Sequence, residues 1–333
     1  MSVRRRFAVA VTVSALLSGL SDGAVGADGL RITHVELRHY PTVELTVVTS
    51  RTGDRAPLIK EDGTPAAGVQ AENLGSSTSV VLTIDRSQSM HGQTLVHALA
   101  ASRAFLATKP ASYRVAVLTF ASQPLELSAF SPAATDTDAA LRSITIDPRS
   151  GTTLYDAILL AARQLDGESS AGRVIIMITD GQETTSKATL TEAIAAARRA
   201  QVIVYSIAIK DTTFMPVPLQ ALAARTGGEM FIARPNDSLD GSYRQIASRL
   251  RRTWHISYLT AVRPGASIDL TAQEAGGGVA RAAIPIPAST ARSSQSVLTF
   301  NELAIAFGAL CACALVFGVF RAVRTRSGEC DLY

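Results

Sequence analysis

Two short apolar runs in this chain each end in an aspartate: Val80-Val81-Leu82-Thr83-Ile84 leads into Asp85, and Ile175-Ile176-Met177-Ile178-Thr179 leads into Asp180. Runs of this length, rich in β-branched residues, read as strands buried on both faces. Such a strand needs helices above and below it, which restricts the chain to a layered α/β fold around a mostly parallel sheet. Parallel strands end at a common sheet edge, and open α/β sheets bind ligands just beyond that edge. Both aspartates therefore fall where a site belongs.

The pattern around them supports this. From Ser79 onward strands alternate with helices: strand Val80–Asp85, helix Gln93–Thr108, strand Arg114–Phe120, a short helix capped by Thr135 and running through Leu141, helix Leu154–Leu165, strand Arg173–Thr179, helix Leu190–Arg199, strand Val202–Ile209, helix Leu219–Arg225 and strand Glu229–Ile232. Gly227-Gly228 supplies a left-handed helix end. Leu239, Tyr243, Ile246 and Leu250 then mark one face of a last helix. On either side the period changes to two. Ile32–Glu36, Val43–Thr49, Leu58–Lys60 and Ala67–Gln70 read as strands before the α/β region, the last two forming a hairpin on Asp62-Gly63. His255–Leu259, Ser267–Thr271 and Ala280–Ile286 read as strands after it. Each group alone is marginal as a folding unit, so the simplest arrangement is one small β-sandwich with the α/β unit inserted in it or flanked by it.

The two ends belong to neither fold. Residues 1–27 carry Arg4-Arg5-Arg6, an apolar core from Phe7 to Leu17, and small residues at Val25 and Ala27, the form of a secretory signal peptide. Leu303–Phe320 is eighteen residues without a charge, preceded by Glu302 and followed by Arg321, Arg324 and Arg326. At about 1.5 Å per residue it nearly crosses a ~30 Å hydrocarbon core, and the arginines mark the cytoplasmic side. The expected organisation is a signal peptide at 1–27, an N-terminal β segment at 28–78, the α/β domain at 79–253, a C-terminal β segment at 254–288, a Ser-rich linker at 289–302, a membrane helix at 303–323 and a cytoplasmic tail at 324–333. The body then lies outside the cytoplasm on a single-pass anchor. All three cysteines, Cys311, Cys313 and Cys330, fall in the anchor and tail, so the body has no disulfide. Of the formal charge of +4 about half lies in the export segment, the body is near neutral, and no basic stripe with interleaved aromatics points to nucleic acid.

The chemistry lies in the loops. Asp85-Arg86-Ser87-Gln88-Ser89 offers a carboxylate and two hydroxyls at alternate positions. Ser150-Gly151-Thr152-Thr153 brings a hydroxyl after a glycine, just before a helix, and Thr179-Asp180-Gly181 brings the second carboxylate. All these donors are oxygen, which suits a hard divalent cation such as Mg²⁺. These segments, in this order, resemble the von Willebrand factor type A (VWA) family, as do Thr226-Gly227-Gly228 and the run from Tyr243 to Leu259. The resemblance implies a metal-ion-dependent adhesion site built from Asp85, Ser87, Ser89, Thr152 and Asp180. Ser87 and Ser89 would ligate directly, Thr152 directly or through water, and Asp85 and Asp180 largely through water. An open position would accept an Asp or Glu of a partner protein. Arg86 and Gln88 depart from the small residues usual inside the motif, and Arg86 is expected to face solvent. Thr153 is expected to cap the following helix.

The leading expectation is a membrane-anchored protein-binding module, not an enzyme, using Mg²⁺, Mn²⁺ or Ca²⁺ and taking no small-molecule substrate. A structural envelope subunit with an unused site and a metal-dependent hydrolase are the alternatives. No Gly-x-Gly-x-x-Gly or P-loop supports nucleotide binding.

Overall fold

The computed structural model describes residues 29–210, 216–234 and 239–288. The signal peptide, the anchor helix and the tail expected from the sequence lie outside them. Among the described residues no helix is long and apolar enough to cross a membrane.

The chain begins with strands β1 (Arg31–Glu36), β2 (Thr42–Val48), β3 (Leu58–Glu61), β4 (Thr64–Pro65) and β5 (Ala67–Asn73). The α/β region follows as β6 (Thr78–Asp85), α1 (Gln93–Thr108), β7 (Arg114–Phe120), β8 (Leu125–Glu126), α2 (Ala134–Arg142), α3 (Leu154–Asp166), β9 (Gly172–Thr179), α4 (Leu190–Arg199), β10 (Ile203–Ile209), α5 (Pro216–Arg225), β11 (Met230–Ala233) and α6 (Asp240–Arg251). Strands β12 (Thr253–Leu259), β13 (Ser267–Gln273) and β14 (Val279–Pro285) complete it.

Among the described residues these strands make three sheets. The central one has the order β11-β10-β9-β6-β7-β8 and is parallel except for β8 at its edge. Its pleat divides the core. Val80, Leu82 and Ile84 of β6 face one way, toward Phe105 of α1, Leu141 of α2 and Tyr243, Ile246 and Leu250 of α6. Val81 faces the other way, toward Leu154 and Ile158 of α3, Ile194 of α4 and Leu222 of α5. All eight residues of β6 are buried, as a strand between two helical layers requires.

The other two sheets are antiparallel, in the orders β1-β2-β12-β5 and β14-β13-β3-β4. Each draws strands from both sides of the α/β region. Leu45 and Val47 of β2 and Trp254, Ile256 and Tyr258 of β12 pack with Ile59 of β3 and Ile268 and Leu270 of β13 in one apolar core.

Two local expectations are corrected. The Asp62-Gly63 turn forms with both residues at positive φ (49° and 82°), but its return arm is only β4. Pro65 has no N–H to extend the ladder, and the chain crosses from there to the other sheet, where β5 pairs with β12. Thr135 lies inside α2, whose N-cap position is Ala133. The neighbouring Ser131 hydroxyl serves that end, accepting from the Ala133 N–H at 3.1 Å and donating to Asp136 at 2.7 Å. The Gly227-Gly228 helix end forms as expected: Gly227 has φ 82°, and the Gly228 N–H donates to the Ala223 carbonyl at 2.9 Å.

Candidate functional site

The central strand order contains one topological switch. From β6 the chain proceeds outward to β7, whereas from β9, on β6's other side, it proceeds outward to β10 and β11. The loops leaving β6 and β9 therefore diverge and leave a crevice between them, where doubly wound sheets hold ligands. Asp85 ends β6, and Asp180 directly follows β9. Ile84 pairs with Ile178, so Asp85 stands level with Thr179 and one residue short of Asp180.

The Asp85 side chain is completely buried. Its Oδ1 accepts the Ser87 N–H at 2.8 Å, which bends the chain back over the strand end, and its Oδ2 accepts the Thr179 hydroxyl at 2.6 Å. The Ser87 and Ser89 hydroxyl oxygens lie 3.0 Å apart, so the loop brings the alternate serines together. A short 3₁₀ turn at Gln88–Met90, anchored by the fully buried Met90, holds that shape. On the β9 side Asp180 Oδ1 accepts the Gln182 N–H at 3.2 Å, and the Thr179 hydroxyl accepts the Gly181 N–H at 3.0 Å. Burial, first, and the charge of nearby Asp180, second, push Asp85's pKa up to about 7, against the lowering effect of the Ser87 and Thr179 hydrogen bonds.

Thr152 is tied to the same edge from both directions. Its N–H donates to Thr184 Oγ1 at 2.8 Å and its carbonyl accepts the Thr184 N–H at 3.0 Å, fixing it to the loop after Asp180. The next residue, Thr153, donates both its N–H and its hydroxyl to the Ala121 carbonyl, at 2.8 and 3.0 Å, fixing it to the end of β7. Gly151, at φ 116°, makes the turn; a Cβ there would meet Thr185 Oγ1 at 2.8 Å. Thr153 is the N-cap residue of α3, as expected, and its carbonyl accepts the Ala157 N–H at 3.1 Å, but its hydroxyl is committed to Ala121 and makes no cap bond. The exposed N–H groups of α3 are met from across the site instead. Tyr155 N–H donates to Ser186 Oγ at 3.0 Å and to Glu183 Oε2 at 3.2 Å. Asp156 accepts the N–H groups of Lys187 and Ala188 at 3.0 and 2.9 Å.

Arg86 also differs from expectation. It does not face solvent: its guanidinium lies 3.5 Å from Asp147 and donates to the Thr145 carbonyl at 3.3 Å. Asp147 is buried and also binds Arg149 through Nε at 3.1 Å and Ser122 Oγ at 2.6 Å. The Arg149 hydrogen bond, foremost, then those of Ser122 and the Arg149 N–H, and the Arg86 charge hold Asp147's carboxyl well below the usual range despite its burial. Asp147 and Glu183 fall in no segment that the sequence marks, and Thr179, though inside a marked segment, meets Asp85 only through the register of β9 on β6. His91 is exposed on the loop surface.

The crevice thus gathers Asp85, Ser87, Ser89 and Asp180, with Thr152 on the adjoining loop. The donors are all oxygen, and two carboxylates are buried near each other, a repulsion that a cation between them would relieve. The residues fit a hard divalent ion. Among the described residues no group of three or more His, Cys, Asp or Glu is arranged to hold a metal elsewhere.

The sequence profile of the von Willebrand factor type A domain matches residues 79–245. The chain belongs to that family. Among solved structures, a von Willebrand factor type A protein from Catenulispora acidiphila is similar with a TM-score of 0.50 at 14% identity, over 81% of this chain and 76% of that one. An aerotolerance-related membrane protein from Bacteroides fragilis is similar over 52% of this chain and 98% of that one, at 18% identity and a TM-score of 0.45. Proximal thread matrix protein 1 from the mussel byssus, in a structure with a zinc-occupied MIDAS motif, is similar over 58% of this chain and 51% of that one, at 16% identity and a TM-score of 0.49. No curated protein sequence matches the chain.

Proposed function

We propose that this protein is an extracytoplasmic protein-binding module that docks an acidic side chain of a partner through a divalent cation, Mg²⁺, Mn²⁺ or Ca²⁺, held at the β6–β9 crevice. The observation that carries the reading is the meeting of two buried carboxylates and the paired Ser87 and Ser89 hydroxyls at one switch point. In this reading Ser87 and Ser89 ligate the ion directly, Thr152 does so directly or through water, and Asp85 and Asp180 act largely through bound water. When bound, the ion supplies an electrophile for a partner's Asp or Glu. Only two carboxylates face a dication, and both act largely through water, so the ion would stay electrophilic toward a third carboxylate.

The protein contributes rigidity. Thr179 and the Ser87 N–H fix both oxygens of Asp85, and Thr184 fixes the Thr152 backbone. These contacts set the donors before any partner arrives, which lowers the ordering cost of binding. The apolar stretch Leu303–Phe320 is, in the same proposal, the anchor that keeps the body outside the membrane. The test is capture of partners from membranes by the purified body. Chelator and Asp180→Ala should each abolish capture while the circular dichroism spectrum is preserved. Capture unchanged by both would overturn the reading.

A further inference from the structure

We infer that the partner docks through two acidic groups, one on the cation and a second on Arg149, so that its recognition segment is a diacid. This rests on the cation-docking reading above. The observation is the charge cluster around Asp147. That carboxylate is 1% exposed and lies between two guanidinium groups, Arg149 at 3.1 Å (Nε to Oδ1) and Arg86 at 3.5 Å. One carboxylate cannot neutralise two guanidiniums, and neither arginine has another carboxylate within ion-pair distance among the described residues. The cluster therefore carries an uncompensated positive charge.

Exposure decides where that charge is presented. The Arg86 side chain is 15% exposed and is used up on Asp147 and the Thr145 carbonyl. The Arg149 side chain is 58% exposed. Its Nε and one Nη hold Asp147, leaving the remaining N–H donors for a partner. Asp147 thus acts as a positioning residue: it grips one side of a long, flexible side chain and leaves the other side outward.

The backbone places this charge beside the cation position. Asp147 N–H donates to the Arg86 carbonyl at 2.9 Å, and the Gln88 side chain donates to the Pro148 carbonyl at 2.8 Å. Segment 145–149 is thereby zipped along Arg86 and Gln88, the residues interleaved with Asp85, Ser87 and Ser89. Arg149 also stands only three positions before Thr152, so their Cα atoms are at most about 11 Å apart. A carboxylate reaching the cation would bring residues a few positions along its own chain within range of Arg149. A planar guanidinium with free N–H donors favours a second carboxylate there, and its charge disfavours a lysine or arginine.

The probes are two acetylated, amidated peptides that differ at one position: one Asp followed at a short spacing by Glu, and the same sequence with Gln. Binding to the protein is measured by fluorescence polarisation in Mg²⁺. The two-acid peptide should bind about two- to fivefold tighter, the scale of an exposed ion pair, with the advantage shrinking at high salt. Arg149→Met should abolish the difference while leaving the one-acid peptide's affinity and the Mn²⁺ affinity unchanged. Equal binding of the two peptides by the unaltered protein, or a preference that survives Arg149→Met, overturns the second contact but not cation docking. Absence of Mg²⁺-dependent binding of either peptide overturns both.

Discussion

Thr179 donates its hydroxyl proton to Asp85 at 2.6 Å, joining two residues 94 positions apart across the boundary between β9 and β6. Both side chains are fully buried. The same hydroxyl accepts the Gly181 N–H, so one oxygen fixes a carboxylate on one strand and the turn that carries Asp180 on the next. Its two bonds tie the β6 and β9 halves of the candidate site together.

Thr179→Val should therefore reduce both cation affinity and stability. Valine keeps the shape but leaves Asp85 Oδ2 and the Gly181 N–H without this partner, at a cost of about 1–3 kcal/mol. Loss of a supporting hydrogen bond of this kind typically weakens metal binding ~10–100-fold. Mn²⁺ titration followed by thermal shift measures the first effect and urea denaturation in chelator the second. Thr179→Ser, which keeps the hydroxyl, should recover most of the affinity.

Asp85→Asn should separate the two properties in the opposite sense. Without a cation, an ionised Asp85 is buried near Asp180, and the amide removes that repulsion at nearly equal volume. The variant should be more stable than the native protein in chelator at neutral pH, by roughly 1–4 kcal/mol, and should gain nothing from added Mg²⁺. The native protein should gain of order 3 kcal/mol at a hundredfold excess over the dissociation constant. Paired melts with and without Mg²⁺ decide this. A native protein that Mg²⁺ does not stabilise would contradict the cation site itself.

The parts of the site legible in the sequence are those written in consecutive residues. An apolar run ending in Asp85 places that carboxylate at a strand end, because burial on both faces and the parallel edge follow from the pattern alone. The Leu239, Tyr243, Ile246 and Leu250 spacing similarly predicts the buried stripe on and just before α6. Thr179 was within a recognised segment, but its bond to Asp85 depends on strand register, which no local pattern states. Arg86 looked like a solvent-facing charge because nothing near it in sequence could pair with it; Asp147 arrives from a loop about sixty positions on. The turn at Asp62-Gly63 was legible, yet where its return arm would stop was not, since the switch to the other sheet is decided by β12 offering an edge to β5.

Gly151→Ala should loosen the Thr152 loop. At φ 116° an L-residue is strained, at a cost of about 1–3 kcal/mol, and its Cβ would press on Thr185 Oγ1 at 2.8 Å. Either relief, moving Gly151 or moving Thr185, disturbs the paired Thr152–Thr184 hydrogen bonds. The expected result is a weaker Mg²⁺-induced thermal shift than in the native protein. The comparison variant is Gly63→Ala, also at positive φ but with nothing within 4 Å of its Cβ and remote in sequence from the site: it should cost stability and leave the shift intact.

The sandwich meets the α/β region around two histidines, which makes the fold sensitive to acid. His34 on β1 and His255 on β12 line a small pocket of about 30 Å³ with Glu36, Glu44, Arg173, Arg198 and Gln201. Burial first, then the Arg198 charge, lower the pKa of His34 to about 4, outweighing the raising effect of Glu36 and Glu44; burial also lowers that of His255. Both are thus neutral in the folded protein at neutral pH. In the unfolded chain a histidine protonates near pH 6.5, so protons bind the unfolded state first as the pH falls. The contribution of His34 is full above about pH 6.5 and is lost progressively toward pH 4, up to about 3 kcal/mol at ~1.4 kcal/mol per unit. Asp85, whose raised pKa makes its protonation favour the folded state over the same window, opposes this, so urea denaturation at a series of pH values is done in the Asp85→Asn background, where stability should fall with acid. His34→Gln cannot be protonated and should flatten that slope, even if its stability at neutral pH is lower. A slope unchanged in His34→Gln would assign the acid sensitivity to other groups.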